Sequence, residues 1–167
     1  GMADTLRDGP EAAGRTPEAR SRFRPLAGFL AGFVGVLVFH QAMLGLLHLA
    51  GLTAGQPWAL RPVPPLGLPA VLSAAFWGGV WGIALSAAER FFPRGAGYWL
   101  AAFLFGAVLP TLVAWFVVLP LKGMPAGNGW QPAGMLTGVL VNGAWGLGTA
   151  FILSRFSTGR RNLTKAV

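Results

Sequence analysis

The chain contains no cysteine, and only 11% of its 167 residues are charged. Without cysteine there is no disulfide scaffold, no thiolate metal ligand and no thiol nucleophile. About a quarter of the residues in an ordinary soluble domain are charged. So little charge beside 54% hydrophobic residues therefore excludes a soluble globular domain and a disordered chain. The mean hydropathy is +0.58, and we predict an integral membrane protein.

Four long runs have no charged residue in their interiors, and they cover about 26–52, 68–88, 98–121 and 134–154. A helix needs about 20 residues to cross the hydrocarbon core of a bilayer, so each run is long enough. The apolar residues are continuous and do not alternate, which favours helices over strands. The sequence predicts an all-α polytopic membrane protein with four transmembrane helices in one domain, 25–156. A flexible tail, 1–24, precedes this domain, and a basic tail, 157–167, follows it.

The basic residues predict the orientation of the chain. Of the 13 lysines and arginines, ten lie in the two tails and in the short loop 89–97, and Arg155 directly follows the fourth run; the other two are Arg61 and Lys122. By the positive-inside rule, both termini face the cytoplasm, as expected for a multi-pass protein of a bacterial inner membrane. The net charge of +8 does not indicate a nucleic-acid partner, because the basic residues flank apolar runs that lie against the lipid bilayer.

The second and fourth spans resemble each other at an offset of 64 residues. Gly79-Val80-Trp81-Gly82 aligns with Gly143-Ala144-Trp145-Gly146, and a Gly-x-Pro with a later Trp precedes each span. The first and third spans match poorly. We interpret the pattern as two pseudo-repeated hairpins related by a two-fold axis along the membrane normal.

Small residues recur every four positions along the spans, and such rows let helix backbones approach closely in a bilayer. The glycines that we expect at helix contacts are Gly28, Gly32, Gly78, Gly82, Gly138 and Gly146. The rows predict right-handed crossings and offer a surface for a homodimer or a larger complex.

Polar residues lie near the middle of several spans. The candidates for a polar midplane or a pathway are His40, Gln41, His48, Thr111 and Asn142. An ionisable side chain inside a membrane is costly and indicates function by default, whereas a neutral histidine bonded to an amide is ordinary interhelical packing. Both interpretations stay open for His40. We expect Trp58 and Trp130, in the two longer connections, to belong to interfacial aromatic belts.

Several chemistries lack their residues. No aspartate or glutamate lies inside a span, and Glu89 follows the second run beside Arg90, where pairing or solvation is expected. Two histidines do not complete a zinc site, so we expect no metal and no cofactor. Both histidines are on the first span, so a haem or quinone site is a minor alternative that needs a dimer. We also expect no enzyme activity.

The run Phe39-His40-Gln41, together with Phe76-Trp77-Gly78-Gly79-Val80-Trp81-Gly82, resembles small bacterial four-helix inner-membrane proteins. This resemblance implies a fold and no activity. Two hypotheses for function therefore remain. The chain is a small permease or channel-like protein with His40 on its path, or it is a non-catalytic accessory or assembly subunit of a membrane complex. If both imidazole nitrogens of a buried His40 are bonded to protein, the permease hypothesis loses its support.

Overall fold

Four helices that are long and apolar enough to cross a membrane dominate the computed structural model, which describes residues 17–156. They are Phe23–Leu49, Ala70–Phe91, Ala96–Leu121 and Pro132–Phe156, and we call them the first to fourth spans. Each lies within a few residues of its predicted run. The prediction of four helices of spanning length is confirmed.

The spans are built from helical segments of different winding. The first contains α1 (Pro17–Gly35), a π-helical turn (Val36–His40) and α2 (Gln41–Leu49). The second contains α3 (Ala70–Ala88) and a 3₁₀ turn (Glu89–Phe91). The third contains α4 (Ala96–Val113), a π-helical turn (Ala114–Val118) and α5 (Leu119–Leu121). A 3₁₀ turn (Ala126–Gly129) then leads to α6 (Pro132–Phe156).

The predicted tail, 1–24, is helical where the structure describes it. Helix α1 begins at Pro17, a residue type that suits the first helical position because its fixed φ is already helical and it needs no amide partner. Residues 17–24 are therefore part of the first helix, contrary to the prediction. Residues 1–16 and the predicted basic tail, 157–167, lie outside the described residues.

The connection before the second span contains a small β-hairpin of two residues in each strand, within a chain that is otherwise mostly helical. Strand β1 (Pro62–Val63) pairs antiparallel with β2 (Leu68–Pro69), and Pro62 faces Pro69. Proline favours extended backbone at a strand edge, where its missing amide hydrogen costs no bond. The second helix consequently begins at Ala70 rather than at residue 68.

The two hairpins of the chain meet through one principal interface. The first span packs along the second, the third packs along the fourth, and the first also packs against the fourth. The second and third spans touch only sparsely. We call the end that holds Arg24 and Glu89 the proximal end and the end that holds the two longer connections the distal end.

Glycines bring the first and second spans into backbone contact. A Cβ atom on Gly28 would lie 2.7 Å from the carbonyl oxygen of Gly82, and one on Gly78 would lie 2.9 Å from that of Gly32. No side chain fits at these positions without moving the helices apart. The small-residue row therefore serves a contact inside the chain.

The third and fourth spans cross in the same way. A Cβ atom on Gly106 would lie 3.0 Å from the Cα atom of Gly146, and Ala102 beside them is fully buried. Gly138 differs from this pattern. A Cβ atom there would make ordinary contacts of 3.8 Å and 3.9 Å with Trp115 and Thr111. Gly138 is therefore not required for close packing, although its spacing predicted that role.

Trp145 joins the two hairpins at the centre of the core. It is 2% exposed, and its indole nitrogen donates a hydrogen bond to the carbonyl oxygen of Gly32 at 3.0 Å. Ala31, Ala75 and Leu85 belong to the same buried cluster. The core thus lies where the first, second and fourth spans meet.

Candidate functional site

The structure brings four of the five predicted polar residues into one connected layer. Gln41 is 4% exposed and Thr111 is 2% exposed, and both contact the pair formed by His40 and Asn142. These residues come from the first, third and fourth spans. We call His40, Gln41, Thr111 and Asn142 the polar layer.

Hydrogen bonds in the polar layer fix the imidazole tautomer. The side-chain nitrogen of Gln41 lies 3.1 Å from His40 Nδ1, and since an amide NH₂ group only donates, Nδ1 must accept. The proton is therefore on Nε2. The Asn142 side chain lies beside the same imidazole. The Nδ1 atom of His40 is the ring nitrogen that is bonded to protein.

The remaining groups of the layer are also paired. The Asn142 amide nitrogen donates to Thr111 Oγ1 at 2.8 Å. At the other side, Gln41 Oε1 accepts a bond of 2.7 Å from the backbone N–H of Trp58. One group of bonds runs from the distal connection to the imidazole, and a second joins the fourth span to the third. Hydrogen bonds of this kind between distant segments rigidify the bundle.

The π-helical turn of the first span makes room for Trp58. The Gln41 backbone N–H bonds the carbonyl oxygens of Val36 and Val38, which leaves the Leu37 carbonyl without its usual donor. The Trp58 indole nitrogen donates to this Leu37 oxygen at 2.8 Å. Widened turns of this kind occur often at functional positions of helices.

Trp58 therefore fastens the distal connection to the first span. The predicted place of Trp58 in an aromatic belt does not include this role. Its φ of 52° lies in the left-handed region, which is strained for a bulky side chain. Two hydrogen bonds to the first span hold it there. No local pattern in the sequence indicates this, because Leu37 and Trp58 meet only when the connection folds back along the helix.

His48 lies outside the polar layer. Its Nδ1 atom is 3.1 Å from the backbone oxygen of Thr53, an acceptor, so Nδ1 carries the proton. His48 thus fastens the end of the first span to the connection that follows. The structure does not bring it together with the other four predicted residues.

A second polar cluster, which the sequence did not reveal, occupies the proximal end. Glu89 is 5% exposed, and its Oε1 atom lies 3.4 Å from Arg24 Nη2. Its Oε2 atom accepts a bond of 2.9 Å from the Tyr98 hydroxyl, while Arg24 Nε donates to the Ser86 carbonyl at 2.9 Å. Glu89 therefore joins the first three spans.

The expected association of Glu89 with Arg90 is not what the structure has. The Arg90 guanidinium lies 4.7 Å from the centre of the Phe91 ring, while Glu89 points into the bundle towards Arg24 and Tyr98. Neighbours in sequence diverge here because the 3₁₀ turn places them on different sides of the helix end.

The part of the chain that the structure describes assembles no cluster of metal-ligating side chains. Across these residues no three histidine, aspartate or glutamate side chains group closely enough to hold a metal ion. His40 Nδ1 is bonded to Gln41.

Comparison with known proteins identifies no relative. No protein-family model matches the chain, and neither the curated proteins nor the solved structures include a match.

Proposed function

We propose that the chain is a multi-pass protein of a bacterial inner membrane, with both termini in the cytoplasm. The four apolar spans and the concentration of lysine and arginine at the proximal end support this placement. The proximal loop carries Arg90 and Arg94, whereas each distal connection carries one basic residue, Arg61 or Lys122. The proximal end is then the cytoplasmic end.

The two hairpins descend from an internal duplication that relates all four spans. Phe29 packs over Gly79, and Phe103 packs over Gly143, which is the residue equivalent to Gly79 at the offset of 64. These contacts point to an offset of 74 for the first and third spans. That offset aligns Leu26-Ala27 with Leu100-Ala101, Phe29-Leu30 with Phe103-Leu104, and Gly32 with Gly106.

Two unusual features also occur once in each hairpin, although they are shifted by a few residues from that alignment. The first span of each hairpin contains a π-helical turn, Val36–His40 or Ala114–Val118, at an offset of 78. The connection that follows each span contains a tryptophan with positive φ, Trp58 at 52° or Trp130 at 57°. The two hairpins are therefore similar in these features without matching residue by residue.

Within that membrane, the chain is a non-catalytic accessory or assembly subunit. The internally bonded polar layer is the single observation that carries this proposal, because a transport pathway needs polar side chains that exchange bonds with water or substrate. In the polar layer, His40 Nδ1 is bonded to Gln41, and Thr111 is bonded to Asn142. Paired in this way, polar side chains act as interhelical contacts, and the permease hypothesis is not favoured.

Cysteine accessibility tests this proposal, because the natural chain has no cysteine. Thr111→Cys places a thiol in the polar layer, Leu85→Cys is a fully buried control, and Met124→Cys is a control that is 40% exposed in a distal connection. In membrane vesicles, a small water-soluble thiol reagent should label the Met124 variant quickly and the Thr111 variant no faster than the Leu85 variant. Labelling of the Thr111 variant as fast as the Met124 variant would contradict this proposal and favour the permease hypothesis.

Extraction with the surrounding lipid tests the assembly role. The tagged full-length protein, released from its own membrane by a lipid-retaining polymer, should run in assemblies that contain a second polypeptide in fixed ratio. The chain itself has a mass of 17.5 kDa, so an added partner is readily resolved. Particles that contain only copies of this chain would contradict the accessory proposal and leave the membrane placement unaffected.

A further inference from the structure

A cavity of about 330 Å³ opens at the distal end, between the third span and the start of the fourth. Ala114, Trp115 and Leu119 form its apolar side, and Lys122, Asn128 and Gln131 contribute the polar side. Its volume is at the lower end of the range for small-molecule sites. We call it the distal cavity.

The polar groups of the distal cavity contrast with those of the polar layer. Lys122, Asn128, Gln131 and the Trp115 indole nitrogen make no side-chain hydrogen bond or ion pair with any residue in the described range 23–156. All four groups can donate hydrogen bonds, and Lys122 also has a fixed positive charge. Lys122, Asn128 and Gln131 are exposed, so their donors are available to an anion in the cavity.

The backbone beside the cavity is held in an unusual conformation. Gly127, Asn128, Gly129 and Trp130 all have positive φ, between 49° and 80°. Left-handed backbone normally occurs as single residues, because it is unfavourable for residues with a Cβ atom. Strain of this kind persists where surrounding structure holds it, and it concentrates at ligand sites. In this turn it places Asn128 on the cavity wall.

The π-helical turn of the first span has no such opening, because the chain itself fills it. There the π-helical turn frees the Leu37 carbonyl, and the Trp58 indole takes it. In the second hairpin the Leu119 N–H bonds the Ala114 carbonyl, and Pro120 has no N–H, so the Trp115 carbonyl loses both helical donors. Trp130 does not fill the gap.

Trp130 instead packs edge-on against the Trp115 ring at 5.6 Å and against the Phe116 ring at 5.4 Å. The second hairpin thereby leaves open the space that the first hairpin closes. Phe116 and Leu121 beside it are 57% and 82% exposed, so an apolar surface continues from the cavity along the third span. A ligand with a small polar head and an apolar tail matches these surroundings.

We propose that the distal cavity binds the phosphate-bearing headgroup of an anionic membrane lipid. Lys122 neutralises the phosphate, Asn128 and Gln131 donate hydrogen bonds to it, and the acyl chains lie along the exposed apolar face of the third span. This proposal does not depend on the accessory role. A lipid site of this kind would exist in a subunit or in an independent protein.

Competition between two lipids tests the proposal in the purified full-length protein. Detergent-solubilised protein is mixed with equal amounts of phosphatidylglycerol and phosphatidylcholine, and bound lipid is counted by native mass spectrometry. We expect the wild type to retain phosphatidylglycerol preferentially. Lys122→Ala should lower that preference about fivefold, the effect expected of one lysine near an anionic headgroup.

Two further variants separate the cavity from general surface charge. Arg61→Ala removes an exposed basic residue from the other distal connection and should leave the preference unchanged. Gly134→Leu keeps every charge but fills the cavity from the fourth span, and it should lower retention as much as Lys122→Ala does. Unchanged melting temperatures show that the variants fold.

The proposal is overturned if Lys122→Ala and Gly134→Leu retain phosphatidylglycerol as the wild type does. Equal losses in Lys122→Ala and Arg61→Ala would also overturn it, because they would indicate only a diffuse positive surface. A soluble-anion arm uses glycerol phosphate at millimolar concentration. If that compound displaces the lipid completely, the site takes a free phosphate ester and the lipid assignment fails.

Discussion

The indole N–H of Trp145 reaches across from the fourth span and donates to the Gly32 carbonyl oxygen at 3.0 Å. Gly32 is also one of the residues where the first span touches the second most closely. One backbone carbonyl thus lies where three spans meet. This contact lies in the interface between the two hairpins, which the first and fourth spans mainly form because the second and third spans barely touch.

Trp145→Phe should therefore weaken the association of the hairpins. The change removes the hydrogen bond and some packing from a site that is 2% exposed, and we expect a loss of about 1–2 kcal/mol of unfolding free energy. Unfolding of the detergent-solubilised protein by added dodecyl sulfate measures it. Trp77→Phe, at a tryptophan that is 59% exposed, should lie within about 0.5 kcal/mol of the wild type. Equal effects of the two changes would contradict the assignment.

Gly32 and Gly138 both lie in rows of small residues, but replacing them with alanine should change stability in opposite directions. At Gly32 the new Cβ atom would collide with the backbone of Gly78, and forcing the helices apart should cost about 1–3 kcal/mol. At Gly138 the new atom meets only ordinary contacts of 3.8 Å and 3.9 Å, so the better helix propensity of alanine should be neutral or stabilising by up to about 1 kcal/mol. Thermal unfolding followed by circular dichroism compares the two. A stable Gly32→Ala variant would show that the crossing is less tight than described.

Two buried threonines form a second matched pair. Thr111 Oγ1 accepts a hydrogen bond from Asn142, whereas Thr149 Oγ1 is buried and has no hydrogen-bond partner. Thr111→Val should cost about 1 kcal/mol, because it leaves the Asn142 amide without its acceptor. Thr149→Val removes an unsatisfied hydroxyl at nearly constant volume and should be neutral or stabilising. Equal changes in the free energy of unfolding for the two variants would contradict the predicted difference between the two threonines.

Glu89→Gln should destabilise the proximal end. The carboxylate is 5% exposed and bonds both Arg24 and Tyr98, so its neutralisation leaves the guanidinium without a counter-charge. We expect a loss of about 1–3 kcal/mol and faster proteolysis of the loop 89–97. Arg90→Gln is the control, because Arg90 lies over the Phe91 ring and is exposed, and it should change stability by less than about 0.5 kcal/mol. A Glu89 variant as stable as that control would show that the cluster contributes little.

The sequence predicts which residues form the polar layer but not which hydrogen bonds they make. His40, Gln41, Thr111 and Asn142 stand out because polar side chains are rare in apolar spans. Which nitrogen of His40 is protonated, and that Gln41 holds Trp58, depends on how far each helix is rotated about its axis. Helix rotation is set by packing between distant segments. His48 is another polar residue of the same span, but it contacts Thr53 rather than the layer.

The first and third spans align at an offset of 74, whereas the second and fourth spans align at 64, because the connections inside the two hairpins differ in length. A single offset therefore does not align both pairs of spans. Side chains that pack on equivalent glycines, Phe29 on Gly79 and Phe103 on Gly143, make the second offset visible.

Composition and periodicity by themselves determined the number of helices, their approximate ends and the small residues at which helices approach. These properties are local, because each helix satisfies its own backbone hydrogen bonds and each small residue narrows the helix only at its own position. Tertiary structure alone decided the partner of Glu89, the return of Trp58 to the first span and the open space beside Lys122. Those outcomes depend on contacts between residues far apart in the chain, which no local pattern encodes.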